Sequence, residues 1–324
     1  MTVKQKLLEL FELNKGSFLS GAEIAHSLSC TRGAVWKAVK SLQEDGYEIT
    51  AVSGKGYRLE TRTDVLSENG VKKYLPPECG GLSVQVHKII NSTNTRLREL
   101  AADGAPEGTA VISGEQTNGR GRLGRSFFSP SDTGVYMSLL LRPQMTADNA
   151  VKITTAAAVS VAKAIERLSG KPAQIKWVND IYMDGRKVCG ILTEAAFSLE
   201  NGGLEYAVLG IGVNAYVPEN GFPEDIKDIA GAVFSERRDD MRNKLAAEIL
   251  SRFMKYYSEL ADNTYIESYR KRLMWKGEKI SVISGNTGTP ATLLDADNDC
   301  RLLVEYENGE KAAVSSGEIS IRKV

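Results

Sequence analysis

The sequence predicts a multidomain α+β protein, and three observations carry that prediction. The chain has 324 residues, more than one ordinary core holds, and 42% of them are hydrophobic, enough to bury two or three cores. Its first sixty residues show helical spacing that gives way to a hairpin pattern, and from Lys279 onward short apolar strands alternate with turns. Between these stretches, helical and alternating segments follow one another as in a mixed sheet covered by helices. The predicted parts are 1–62, 63–275 and 276–324.

Composition excludes several classes. The 41 Lys and Arg residues balance 41 Asp and Glu, so any affinity for nucleic acid must come from a local patch and not from net charge. Cys30, Cys79, Cys189 and Cys300 are scattered without a CxxC pair, and His26 and His87 are the two histidines. Neither a disulfide framework nor a structural metal is indicated, and a reduced, cytoplasmic setting is expected. After Met1 comes a short amphipathic run without a signal-peptide core, and no apolar stretch reaches the roughly 20 residues that span a bilayer.

In the first part, Leu7, Leu8, Leu10, Phe11 and Leu13 fall at helical spacing, and Asn14-Lys15-Gly16-Ser17 ends that helix. A second helix over Leu19–Leu28 is capped by Ser20 or a near neighbour. A third, capped by Ser29 or Thr31, turns Val35, Val39 and Leu42 inward and Lys37 and Lys40 outward. Glu44-Asp45-Gly46 stops it, and Tyr47–Val52 leads through Ser53-Gly54-Lys55-Gly56 into Tyr57-Arg58-Leu59, a hairpin with a glycine-rich tip. Helix, helix, helix, hairpin is the order of a winged helix-turn-helix. In such a module the third helix enters the DNA major groove, and Arg32, Lys37 and Lys40 on the helix with Lys55 and Arg58 on the wing are the candidate DNA-binding residues. A protein-interaction module with a solvated basic face is the alternative. Trp36 is read as a packing residue on the helix flank. One module of this size makes few base contacts, so dimerisation is expected. A polar boundary follows at Thr61-Arg62-Thr63-Asp64.

In the central part, Val65–Leu75 reads as a helix stopped by Pro76-Pro77, and Leu82–Ile90 alternates as a strand. Asn91–Thr95 caps a helix containing Leu97 and Leu100. Thr109–Ser113 is a strand leading to Gln116 and then to Gly119–Arg125, three arginines and three glycines in seven residues. Glycine lets backbone amides approach a ligand closely, and arginine offers a permanently charged fork, so the stretch reads as a mobile anion clamp. A nucleic-acid or targeting tract and a plain solvated loop stay open on spacing alone. Gly134–Leu141 is a strand, Val151–Leu168 an alanine-rich core helix, and Ala173–Trp177 a strand entering Val178-Asn179-Asp180. Beyond the turn at Asp184-Gly185 the chain returns along Lys187–Glu194. Tyr206–Asn214 is a buried strand whose Gly210 and Gly212 leave one face bare, room for a flat ligand. The helix over Leu245–Leu260 and another ending near Leu273-Met274-Trp275 complete this part. Five short strands, the first at Ile280–Ile283 and the last at Ile319–Ile321, read as a small SH3-like barrel with turns that include Ser284-Gly285-Asn286.

Ser92-Thr93-Asn94, Gln116, Gly119–Arg125, Lys176-Trp177-Val178-Asn179-Asp180, Arg186–Ile191 and Gly210–Asn214 occur in the order seen in biotin protein ligases. With the winged helix in front, the chain resembles the bacterial bifunctional biotin ligases that double as biotin operon repressors. The resemblance implies that biotin and ATP, with Mg²⁺, give biotinyl-5′-adenylate, and that biotin then passes to one lysine of a carrier domain. Bringing a carboxylate to a phosphate requires positive charge, and Lys187, Arg120 and Arg122 are the implied catalytic cations. Ser92, Thr93, Asn94, Gln116, Gly119 and Gly190 would hold biotin together with these cations, over a floor of Gly210 and Gly212 and with Trp177 as a wall. Arg122, Arg125, Phe127, Lys176, Asn179, Asp180 and Asn214 would hold the nucleotide, and Asp180 would also hold the metal. The implied partners are a biotin carrier domain, operator DNA and a second copy of the chain, the homodimer being promoted by biotinyl-5′-AMP. Phe127 stands where the best-known members carry a tryptophan that stacks on adenine, which trims that contact, and Leu123 replaces a basic residue of some members. Two other readings use the same residues: a ligand-sensing regulator without catalysis, and a lipoate-handling relative, against which the Gly-Arg-Gly-Arg loop argues.

Overall fold

The computed structural model describes all residues except 62, 147, 148, 198–202, 286, 316–318 and 324, so Arg62 in the expected boundary and Asn286 in the expected turn lie outside the described residues. They fall into two compact units. The first comprises Met1–Tyr74 and Glu236–Lys244, the second Leu75–Ser235 and Leu245–Val324.

The first unit opens with α1 (Val3–Leu13), α2 (Gly21–Ser27) and α3 (Arg32–Glu44), followed by an antiparallel hairpin of β1 (Ile49–Val52) and β2 (Gly56–Leu59). Each helix start is fixed by a hydroxyl that takes an orphan amide. Thr2 and Ser20 form capping boxes with Gln5 and Glu23, and Thr31 accepts from Ala34 N at 3.1 Å. Leu7, Phe11, Ile24, Val35, Val39, Leu42 and Leu59 share one core. The wing is tied back by Leu19, which exchanges backbone hydrogen bonds of 2.8 and 2.9 Å with Tyr57. Gly56 is required there, because its φ is +97° and a Cβ would strike the Leu19 carbonyl. The helix expected over Val65–Leu75 is only α4 (Glu68–Lys72). Ser67, not Val65, is its cap, and Gly70 must lie bare against the Asn243 side chain. A buried charge cluster also belongs to this unit: Lys15 Nζ lies 2.7 Å from Asp240 Oδ1, and Arg242 is paired with Asp64.

The second unit contains β3 (Ser83–His87), α5 (Thr93–Ala102), β4 (Thr109–Ser113), β5 (Gly134–Leu141), α6 (Ala150–Ser169), β6 (Gln174–Lys176), β7 (Asp180–Met183), β8 (Arg186–Phe197) and β9 (Leu204–Asn214). Among the described residues the strands form one mixed sheet in the order β3-β4-β5-β9-β8-β7-β6, parallel at β3–β4 and antiparallel elsewhere. Helices cover both faces. Leu97 and Ala101 of α5 pack on Val111, Leu140 and Val208. On the opposite face Thr154 of α6 meets Thr193 of β8 at 2.7 Å. With both faces buried, every residue of β5 is inaccessible, the reason its sequence runs apolar without alternating. The chain continues through α7 (Met241–Ser258) and α8 (Ile266–Arg272). Then β10 (Lys279–Ser284), β11 (Thr287–Ala296), β12 (Leu302–Tyr306), β13 (Lys311–Val314) and β14 (Ile319–Lys323) form an antiparallel sheet in the order β13-β12-β11-β10-β14. Its pairings are those of a five-stranded open order, compatible in strand number and length with the small barrel expected.

Candidate active site

A cavity of about 190 Å³ lies on the α5 face of the mixed sheet, running across β5, β9 and β8 toward β7 and β6. At one end the start of α5 presents hydroxyls and amides. Ser92 caps the helix, and Gln116 Oε1 accepts from Thr93 N at 2.9 Å and from its hydroxyl at 3.1 Å. Beneath them is a buried network the sequence reading missed: Ser138 Oγ lies 2.7 Å from Thr93 Oγ1 and 2.6 Å from Asn94 Oδ1, while Asn94 Nδ2 donates to Glu194 at 2.8 Å. Two strands and a helix contribute, and the cross-strand register that aligns them is not written in any one segment.

The floor is β8 and β9, where Gly190 pairs with Gly212 and Leu192 with Gly210. The bare face expected at Gly210 and Gly212 is in fact occupied. A Cβ at Gly210 would fall on the Asn94 amide, and one at Gly212 would lie 2.6 Å from the Phe127 ring. Phe127 rests across Gly190 and Gly212 and meets Tyr136 edge-on at 6.3 Å. The glycines make room for protein side chains here, and a flat ligand on this floor must share it with Phe127 or displace it.

At the other end cations gather. Lys187 Nζ is 2.7 Å from Asp180 Oδ1, and Arg122 donates to Asn179 Oδ1 at 3.1 Å. Asn179 is itself held by donating to Ile191 O at 2.8 Å. Lys176 lies over the rings of Trp275 at 5.3 Å and Tyr182 at 6.0 Å. Burial lowers the pKa of Lys176; Asp180 opposes this, and the nearby charges of Lys187, Arg322 and Arg125 add to it. Burial likewise lowers that of Arg122, with Asp180 opposing and Arg125 adding. Burial disfavours the charged form of both side chains, and an incoming anion would favour it. Arg322 of β14, another wall residue, was also missed; it comes from the far C-terminal strand, more than a hundred residues from any motif.

The arginine-glycine stretch closes on itself above the cavity. Gly121 N donates to Arg125 O at 2.7 Å and Phe127 N to Gly119 O at 2.9 Å, and Leu123 sits exposed at φ +54°. Arg120 pairs with Glu194 at 3.2 Å, while Arg125 is exposed at the rim. Trp177 is a buried wall, its indole donating to Cys300 O at 3.0 Å. Thus of the predicted site residues, Ser92, Thr93, Asn94, Gln116, Arg120, Arg122, Arg125, Phe127, Lys176, Asn179, Asp180, Lys187, Gly190, Gly210 and Gly212 line this one cavity. Gly119 and Asn214 do not. Gly119 sits behind the loop, where a Cβ would strike Phe127 O, and Asn214 is turned away to donate to Gly231 O at 3.0 Å. Among the described residues no group of three or more His, Cys, Asp or Glu side chains is placed to hold a metal ion.

Residues 86–214 match the model of the biotin/lipoate A/B protein ligase family, and residues 3–58 match that of an HTH domain. The chain is 35% identical to the bifunctional ligase/repressor BirA of Bacillus subtilis, with 97% of this chain and 98% of that protein covered. The chain belongs to the biotin/lipoate A/B protein ligase family. It is also 27% identical to the bifunctional ligase/repressor BirA of Escherichia coli, over 99% of this chain and 98% of that one. Its fold is similar to that of the biotin protein ligase from Aquifex aeolicus in complex with biotin and ATP, with a TM-score of 0.61 and 26% identity over 75% of this chain and 99% of that one.

As a family member with an HTH domain, the chain carries its second candidate surface in the first unit. Arg32, Lys37 and Lys40 are exposed along α3, and Lys55 is exposed at the wing tip. Arg58 departs from the expectation of a free phosphate contact. It stacks over Phe18 at 4.7 Å and is bound to Glu60 at 2.7 Å, so its charge is largely spent within the hairpin.

Proposed function

We propose that this chain is an ATP-dependent biotin protein ligase that makes biotinyl-5′-AMP, passes biotin to a lysine of a carrier domain, and represses transcription when it holds the adenylate. The observation that carries the reading is the meeting, in one cavity, of a hydroxyl and amide cluster at Thr93 and Gln116 with the cations Arg122, Lys176 and Lys187 across a glycine floor. A neutral, hydrogen-bonding head group fits the first end and a triphosphate the second.

In the first reaction a biotin carboxylate oxygen bonds to the α-phosphorus of ATP while the bond to pyrophosphate breaks. Both reactants are anionic, and Lys187 and Arg122, fixed by Asp180 and Asn179, supply charge where it accumulates. Lys176 and Arg125 complete the nucleotide end. Phe127 leaves Gly212 and turns its ring to the adenine. In the second reaction the carrier lysine's amine attacks the acyl carbon, the C–N bond forms, and AMP leaves with the electron pair of the broken C–O bond as the amine loses a proton. A mixed anhydride exposed to water would hydrolyse, so the 119–125 loop acts as a lid over it. Mg²⁺ fits the donor set at this end: Asp180 is a carboxylate on the cavity wall, and magnesium ordinarily takes one or two carboxylates and completes its shell with phosphate and water. Asp180 would hold it, and it would neutralise phosphate charge.

Repression joins the HTH domain to a second copy of the chain: adenylate orders the loop at 119–125, and the ordered protein pairs along a sheet edge and binds operator DNA as a dimer. Two measurements test the proposal. Exchange of labelled pyrophosphate into ATP should depend on biotin and fail with lipoate; exchange without biotin, or none, contradicts the ligase. A gel shift should strengthen when biotin and ATP are added together, and equal binding in their absence contradicts the adenylate-dependent repressor.

A further inference from the structure

α3 presents one half-exposed aromatic ring among its basic side chains. Val35, Ala38, Val39 and Leu42 are buried in the core of the first unit, yet Trp36 between them is 53% exposed. Arg32 and Lys40 lie one turn to either side of it, at i−4 and i+4, and Lys37 lies beside it. Trp36 therefore lies on the flank of the helix, as the spacing suggests, but with about half of its ring exposed and in line with Arg32 and Lys40. About half of a large apolar ring is thus left in water among basic side chains, area that burial against a partner would remove.

A second observation points the same way. Gly33 occupies the first turn of α3 and is exposed. A Cβ there would meet only Thr31 Oγ1 at 3.8 Å, an ordinary contact, so the protein's own packing does not ask for glycine. A bare first turn lets the helix start approach an external surface closely. The exposed charges on this face through Lys40 are all positive, and Glu44 lies at the far end. That pattern suits phosphates on either side of a groove.

We infer that Trp36 is the base-reading residue of α3: its indole packs on the 5-methyl group of a thymine in the major groove, while Arg32 and Lys40 hold flanking phosphates. Thymine alone presents a methyl group in that groove, which gives an apolar ring among cations a specific target. This rests on the DNA-binding reading given above and adds the residue and the base it selects.

The test starts with a pool of random-sequence duplexes, from which full-length protein with biotin and ATP selects its preferred sequence. Wild type, Trp36→Ala and Trp36→Phe are then titrated by fluorescence anisotropy against the selected duplex and a random-sequence duplex. Trp36→Ala should bind the selected duplex about tenfold more weakly while keeping its affinity for random DNA, and Trp36→Phe should retain most of the specific affinity. Replacing thymines by deoxyuracil one at a time should, at one position, weaken wild type about fourfold, the equivalent of about 0.8 kcal/mol for one apolar carbon, and leave Trp36→Ala unaffected. Equal uracil penalties in the two proteins, wild-type affinity in Trp36→Ala, or a parallel loss on random DNA would each overturn the inference. If wild type enriches no sequence at all, the DNA-binding reading falls with it; if wild type enriches one and Trp36→Ala matches it, only this inference falls.

Discussion

Adding one methyl group at Gly210 tests whether the glycine floor and the network under α5 are one device. A Cβ at this position lands on Asn94 Oδ1, which has nowhere to go: Ser138 Oγ holds that atom at 2.6 Å, and Glu194 holds the amide nitrogen at 2.8 Å. Ser138 is fully buried, its one hydroxyl proton goes to Asn94 Oδ1, and its oxygen also lies 2.7 Å from Thr93 Oγ1, so displacing Asn94 disturbs three close polar contacts. At about 1 kcal/mol each, Gly210→Ala should cost about 3 kcal/mol. For a unit of this size that is a fall of roughly 6–12 °C in the melting temperature. Because Thr93 is tied to Gln116 by two bonds, the same change should raise KM for biotin and leave KM for ATP near its starting value. Calorimetry with steady-state kinetics reads both effects. Ser138→Ala removes the same bonds without a clash and should reproduce the biotin effect with a smaller melting shift. A Gly210→Ala protein that melts within 2 °C of wild type, with unchanged KM for biotin, would refute the reasoning.

Other changes separate the remaining parts. Lys187→Met should lower adenylate formation by about 10²- to 10³-fold with little change in biotin affinity, since it removes charge felt mainly in the transition state; a drop below tenfold would remove Lys187 from that role. Arg122→Gly should let biotinyl-adenylate escape, read as biotin on lysines of a bystander protein, and retention equal to wild type would remove the lid role. Lys37→Ala combined with Lys40→Ala should reduce the slope of log affinity for DNA against log salt by about 2, whatever the DNA sequence. Asp240→Asn tests the charge cluster of the first unit. Burial would raise the Asp240 carboxyl, but the hydrogen bond and charge of Lys15, with Tyr74 and Lys73, hold it below its ordinary value of 3.8. A depressed folded pKa gives stability that is complete above the ordinary value and lost as pH falls through the folded one. The variant should therefore be destabilised most at neutral pH, by about 3–5 kcal/mol as for a broken buried pair, and the two unfolding curves should converge under acid. A pH-independent difference would contradict this.

How much of this was legible in the sequence depended on whether a signal is local. The caps at Ser20, Thr31 and Ser92 and the hairpin are each complete within a few residues, and the structure has each of them. The order of the ligand-site motifs was equally plain. What a short window cannot contain is cross-strand register. Ser138, Asn94 and Glu194 meet because β5, β9 and β8 align, with Asn94 and Glu194 100 residues apart in sequence, and Gly210 and Gly212 looked bare because their occupants, Asn94 and Phe127, come from distant loops and helices. Arg322 was invisible for the same reason. Trp36 was read on the flank and stands there, about 100° round the helix from the buried Val35, but the spacing did not give its 53% exposure. The short α4 was overestimated because Ser67 is the better cap and the residues before it have no helical partner to accept their amides.

The most direct test of the central claim is a single-turnover reaction of the full chain with biotin, ATP labelled at the α-phosphate, and a biotin carrier domain. One pyrophosphate should be released before any label leaves the protein, and addition of the carrier should then yield one biotin amide on one lysine together with one labelled AMP. Carrier left unmodified while ATP is hydrolysed, or biotin bound with no adenylate formed, would contradict it.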